Sequence, residues 1–243
     1  MKALIQKIIN LTGYQIRKFP GPPDLDIRRR MMLLEHFKIN KILDVGANKG
    51  QYASSIRKSG FQGDIISFEP MKEAFAALQQ LALRDSRLTA LNFALGDTEA
   101  KTTINVAGNS ISSSILEMLP AHIDAAPHSS YVDQEEITIK TLDSVFFDYC
   151  RPEDNIFLKM DTQGFEKNVL DGASQSLKYI QGIQVEMSLV PLYRGGILFD
   201  EMNAYLKEKG FDLYSLENGF WHVSNGRLLC VDGIFFKASE AKS

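Results

Sequence analysis

The chain has 243 residues, 44% hydrophobic and 23% charged, which fits one large globular domain or two small ones. Its net charge of −3 removes the broad positive footprint of a general nucleic-acid binder, so a small-molecule or glycan partner is expected instead. Cys150 and Cys230 stand far apart with no CxxC and no histidine cluster, which argues for buried thiols in a reducing cytoplasm rather than disulfides or a zinc site.

The opening stretch, MKALIQKIINLTGYQIRKF, sets Leu4, Ile5, Ile8 and Ile9 at helical spacing among Lys2, Lys7, Arg17 and Lys18. Gln6, Lys7 and Asn10 interrupt it, so its apolar runs are too short for a signal sequence or a membrane span, and a cytoplasmic location is expected. Such a stripe most often packs on the core or on a second copy of the chain, as a homo-oligomer; weak contact with a membrane surface is its less common fate. Pro20, Gly21, Pro22 and Pro23 then break the chain, which divides it into an appendage, 1–23, and one domain, 24–243.

Beyond the break, apolar runs alternate with helical patterns. KILDVG (41–46), a helix over 50–59, DIISFE (64–69), a helix over 71–84 and LTALNFAL (88–95) give the alternation of a parallel α/β sheet. Further strands are expected at TTINV (102–106), ITIKTL (137–142), IFLKMD (156–161) and IQVEMS (183–188), with helices over 165–178 and 199–209. The last runs, FDLYSL (211–216) and LCVDGIFF (229–236), suit antiparallel pairing at a sheet edge. Residues 107–136 hold many serines, two prolines and two histidines without a clear period, and read as a lid-like insert.

In a doubly wound sheet ligands sit beyond the carboxyl ends of the strands, which brings ILDVGANKGQY (42–52) and Glu69 to one cleft. A dinucleotide turn needs glycine in three places, and here Asn48 takes the second and Gln51 the third. That disfavours a nicotinamide cofactor. A nucleoside without a pyrophosphate tolerates the looser turn, with Glu69 placed to accept hydrogen bonds from a ribose diol.

DVGANKGQY, SFEP, NFALGD (92–97), LKMDTQGFE (158–166) and VEMSLVPLY (185–193), in this order, resemble the FkbM family of S-adenosylmethionine-dependent methyltransferases. The resemblance implies a Rossmann-like class I methyltransferase fold: a doubly wound, mostly parallel seven-stranded sheet with an antiparallel edge strand. It implies that Asp44, Gly46, Asn48 and Gly50 cradle the methionine end of the donor, that Glu69 binds its ribose, and that Asn92, Ala94 and Leu95 flank its adenine. Asp161 then falls at the strand end facing the donor methyl.

Methyl transfer from a sulfonium needs its reactants held close and in line, and a hydroxyl nucleophile also needs a base. Lys159, Asp161, Glu166 and Glu186 cluster at adjacent strand ends. They suit a base with its orienting partner, with Asp161, Glu186 and Lys159 the catalytic candidates; a divalent metal held through oxygens is less favoured, and a structural ion-pair network is the alternative. Glu166, His122 and His128 are further base candidates, while Ser110, Ser112, Ser113, Ser114, His122, Glu166, Tyr193 and Trp221 are candidates to contact the acceptor, of which Ser113, Ser114, His122, Glu166 and Tyr193 are preferred. The expected reaction is O-methylation of a sugar, glycan or polyketide-like molecule. The rivals are a nicotinamide-dependent oxidoreductase and a non-catalytic binding module on the same fold.

Overall fold

The computed structural model describes residues 22–238, so the amphipathic stripe at the start of the chain lies outside the described residues. The first element among the described residues is helix α1 (Pro22–His36). Prolines 22 and 23 lie in the first turn of this helix, where the N–H groups that proline lacks have no helical partner anyway.

Seven strands form the central sheet: β1 (Lys41–Val45), β2 (Asp64–Phe68), β3 (Leu88–Leu91), β7 (Ile156–Met160), β8 (Ile180–Ser188), β9 (Phe211–Asn218) and β10 (Cys230–Lys237). Their order is β3-β2-β1-β7-β8-β10-β9. The first five are parallel and β10 runs against both its neighbours, so the reversed strand is second from the edge and β9 forms the edge itself. All five residues of β1 and of β7 are buried, as expected of central parallel strands covered on both faces.

One face packs under α1, α2 (Gln51–Lys58) and α3 (Lys72–Ala82), around Ile42, Ile65, Phe157, Ile234 and Phe236. The other packs Leu43, Leu158 and Val185 against α5 (Leu142–Tyr149), α6 (Glu166–Asp171) and α7 (Phe199–Glu208). The helix expected over 165–178 stops at Asp171 and resumes as a 3-10 turn at Ser176–Tyr179. Gly172 lies at that break, where an added Cβ would meet the Gly96 carbonyl oxygen at 1.9 Å.

A second sheet, in the order β4-β6-β5, joins β4 (Ala94–Leu95), β5 (Ala100–Ala107) and β6 (Tyr131–Lys140). The run expected as one strand over 88–95 is thus two. It divides at Asn92, whose amide donates to the Glu69 and Pro70 carbonyls at 3.0 Å each while the chain crosses to the second sheet. The insert is shorter than its composition suggests, since YVDQEE belongs to β6. From Asp133 to Glu136 β6 is polar on both faces, so no apolar alternation marks it. What remains, 108–130, carries the short helix α4 (Pro120–Ala125).

Candidate active site

The turn after β1 is built on three left-handed residues, Gly46 (φ 75°), Asn48 (φ 47°) and Gly50 (φ 83°). Gly46 has no room for a side chain, because an added Cβ would lie 2.0 Å from the Asp161 carbonyl oxygen. Asn48 tolerates the conformation, as asparagine does better than most residues. Its Oδ1 accepts from the Lys49 N–H at 2.8 Å and its Nδ2 donates to the Ser110 carbonyl at 3.2 Å, tying the turn to the insert.

Glu69, at the end of the neighbouring strand, closes over this turn. Its Oε2 accepts the Asn48 N–H at 2.7 Å and its Oε1 the Met71 N–H at 2.9 Å. The residue is only 2% exposed, and that loss of hydration, opposed by the two backbone hydrogen bonds, raises its pKa to about 7. Two N–H donors leave two of the four lone-pair sites of the carboxylate free.

A cavity of about 420 Å³ opens beside this carboxylate. One wall is apolar, with Phe68, Met71, Leu95, Ile104, Ile115 and Phe165. The other end is polar, with Arg30, Tyr52, Lys159, Asp161, Gln184 and Asp232. Strand register explains the polar end: Ser67, Asp44, Lys159 and Gln184 pair in one row across β2, β1, β7 and β8. Side chains two residues further along a strand keep the same face, which adds Glu69, Asp161 and Glu186, with Asp232 opposite Glu186.

Lys159 lies 3.2 Å from Asp44 and 3.6 Å from Asp161. Burial works against its ammonium, but the two carboxylates outweigh it and hold the pKa above the ordinary lysine value. Asp161 Oδ1 accepts from the Gln163 amide at 2.7 Å, and the same amide donates to Glu186 at 3.0 Å. Gln163 is itself oriented by the Tyr193 hydroxyl, which donates to its Oε1 at 2.6 Å. Loss of hydration, then the charges of Asp161 and Glu166, raise the Glu186 pKa well above its ordinary value.

The structure brings many of the expected residues together and sets others behind them. Gly46, Asn48, Glu69, Ala94, Leu95, Ser110, Ser113, Lys159 and Asp161 line the cavity. Asp44, fully buried, stands behind Lys159, while Gly50 backs onto Leu78 and Leu81 and Asn92 holds the turn after Glu69. Glu166 accepts from the N–H groups of Thr162 and Gly164 at 2.8 and 3.2 Å, fixing the turn that carries Gln163. Ser112 Oγ accepts from the Asn109 amide at 3.0 Å, and Ser114 donates to the Gln163 carbonyl at 2.7 Å. His122 is buried against Tyr193 and Phe220, with its pKa lowered to about 4 by loss of hydration. His128 and Trp221 are exposed and lie outside the cavity lining.

Sequence reasoning missed Arg30, Tyr52, Gln163, Gln184 and Asp232. Asp232 had a signal, as a lone charge inside an apolar strand; Arg30 had none, because α1 itself was unexpected. Both cysteines are buried and free as expected, and Cys230 donates its thiol hydrogen to Glu186 at 3.1 Å. No group of three or more potential metal ligands occurs among the described residues. No helix among them is long and apolar enough to cross a membrane.

A seven-stranded sheet in this order, with one reversed strand beside its edge and a cleft at the strand carboxyl ends, defines a class I methyltransferase fold. The family model described as the methyltransferase FkbM domain matches residues 44–213, and the chain belongs to that family of S-adenosylmethionine-dependent methyltransferases. Among solved structures it is similar to the FkbM methyltransferase of Methylobacillus flagellatus KT, with 16% identity and a TM-score of 0.50 over 80% of this chain and 43% of that one. This chain therefore spans less than half the length of that relative. It is also similar to the CcbJ methyltransferase of Streptomyces caelestis, with 10% identity and a TM-score of 0.46 over 91% of this chain and 100% of that one. At such identities the likeness is one of fold. No curated protein matches the sequence.

Proposed function

We propose that this chain transfers a methyl group from S-adenosylmethionine to a hydroxyl oxygen of a small-molecule acceptor, a sugar, a glycan or a polyketide-like compound. The observation that carries the donor assignment is the placement of Glu69, enclosed beside the glycine turn with two lone-pair sites still free. Those sites suit the two hydroxyls of a ribose. The apolar wall at Phe68, Leu95 and Ile104 suits an adenine ring, and the Gly46 turn allows close approach of the rest of the donor.

Bound there, the donor supplies a methyl group on a sulfonium, an electrophile that already carries a good leaving group. Asp161 is the residue assigned to take the proton of the acceptor hydroxyl, because it lines the cavity and is oriented from two sides, by Gln163 and Lys159. A carboxylate base suits a hydroxyl, which loses its proton as the bond forms, better than an amine, which attacks through a free lone pair. Glu186 is a positioning residue here, since its carboxyl holds the Gln163 amide and is not among the groups that line the cavity. Among the insert residues, Ser113 and Ser110 line the cavity and are the contacts assigned to the acceptor, while Ser114, His122, Glu166 and Tyr193 support the insert and the Gln163 turn.

The test is turnover with isotopically methyl-labelled donor against a panel of hydroxylated acceptors, with the labelled atom located by NMR. Label on an oxygen supports the proposal. Label on nitrogen or carbon, or donor binding without turnover across the panel, contradicts it.

A further inference from the structure

The inner end of the cavity is built unlike its apolar wall, and the proton transfer assigned to Asp161 does not use most of it. Two of its polar atoms are enclosed without a hydrogen-bond partner among the described residues: the Tyr52 hydroxyl, which can donate, and Gln184 Oε1, which accepts. Gln184 is only 3% exposed. Buried polar atoms are rarely left unpaired, so an unpaired donor and an unpaired acceptor beside one cavity point to a ligand that brings the complement of each.

The charges agree. Lys159 is committed to Asp44 and Asp161, at 3.2 and 3.6 Å. Arg30 is committed to Glu217 through Nε and Nη2, leaving Nη1 without a partner among the described residues. Asp232 also lines this end, yet its carboxylate makes no hydrogen bond or ion pair among the described residues. Two cations thus face the carboxylates of Asp44, Asp161, Glu217 and Asp232, and the local shortage is of positive charge. The Arg30 and Lys159 cations both lie over the Tyr52 ring, 5.3 and 5.4 Å from its centroid, which helps to hold the ring in place.

We propose that this end of the cavity is an amino-acid subsite, where Asp232 and the Gln184 amide oxygen take an ammonium while the Tyr52 hydroxyl and Arg30 Nη1 take a carboxylate. The inference rests on the donor reading above and assigns the methionine tail of that donor to these four residues. Arg30 and Asp232 lie outside the 44–213 family match, so family membership alone does not assign them. The glycine turn then faces the middle of the donor, with α1 and β10 reading its charged tail.

Titration calorimetry with S-adenosylhomocysteine and 5′-methylthioadenosine reads the subsite, since both carry the nucleoside and a neutral thioether but only the first has the amino-acid group. The wild-type chain is expected to bind S-adenosylhomocysteine roughly a hundredfold more tightly. Asp232→Asn and Tyr52→Phe are each expected to reduce that preference about tenfold while leaving 5′-methylthioadenosine affinity unchanged. Equal wild-type affinities, a preference that neither variant alters, or variants that weaken both ligands alike overturn the subsite and leave the donor reading standing. Failure of the wild-type chain to bind either ligand overturns both. The wild-type comparison needs no variant, and Tyr52→Phe removes a single oxygen, so a misfolded Asp232→Asn still leaves a decisive result.

Discussion

Glutamine at position 69 keeps the size of the glutamate but has one acceptor oxygen where the wild-type side chain has two. The N–H groups of Asn48 and Met71 each occupy one of those oxygens, so Glu69→Gln leaves one of them facing an amide NH2, and the ribose loses its charged acceptor. Charge-assisted hydrogen bonds contribute roughly 1.5–3 kcal/mol each, and losing two weakens S-adenosylhomocysteine binding by about 10²- to 10⁴-fold. A second readout follows from the pKa. Glu69 rises from an ordinary 4.5 to about 7, chiefly through loss of hydration. A raised acid costs nothing below its unfolded pKa and its full penalty above its folded one, so wild-type stability should decline by about 3 kcal/mol as pH rises from 4.5 through 7. The variant loses this component. Ligand affinity moves the opposite way, because ribose hydroxyls donate to the ionised carboxylate: it falls roughly tenfold per pH unit below 7 and levels off above it. Urea melts from about pH 4.5 to 8 and calorimetric titrations from about pH 6 to 8 measure both. A variant affinity within about threefold of wild type, or wild-type affinity flat across that range, would refute the assignment of the ribose to Glu69.

Asp161→Asn is expected to lower kcat by about 10²- to 10⁴-fold while leaving S-adenosylhomocysteine affinity within a few-fold, measured by single-turnover kinetics and calorimetry. Gly46→Ala combines a left-handed backbone with a Cβ 2.0 Å from the Asp161 carbonyl, and should lower stability by roughly 3 kcal/mol in a urea melt. Tyr193→Phe removes the buried hydrogen bond to Gln163, costing about 1–2 kcal/mol of stability, and lowers kcat more than it raises the acceptor KM if Gln163 positions the base. Because the Lys159 ammonium already sits between Asp44 and Asp161, EDTA should leave turnover unchanged; loss of activity restored by a divalent cation contradicts the metal-free reading.

The sequence revealed the elements whose signals are local. β1 and its turn stand out because a buried parallel strand is a continuous apolar run, and Gly46 and Gly50 mark left-handed backbone. Glu69 is legible because the strand-end acid of SFEP falls beside that turn in any doubly wound sheet. The misses come from tertiary placement. The helix over Pro22–His36 was hidden because the prolines at 22 and 23 resemble a break in the chain. Arg30 and Asp232 come from opposite ends of the chain and meet at the cavity through the register of β8, β10 and β9, which no periodicity displays. The serines of the insert look like ligands for a polyhydroxylated acceptor, yet Ser112 and Ser114 spend their hydroxyls on the insert and on the Gln163 turn.

A crystal structure with S-adenosylhomocysteine bound tests the central claim most directly. The account predicts adenine against Phe68 and Leu95, both ribose hydroxyls within hydrogen-bond distance of Glu69, and the sulfur on the Asp161 side of the glycine turn. A ligand seated elsewhere, or one whose ribose turns away from Glu69, contradicts it.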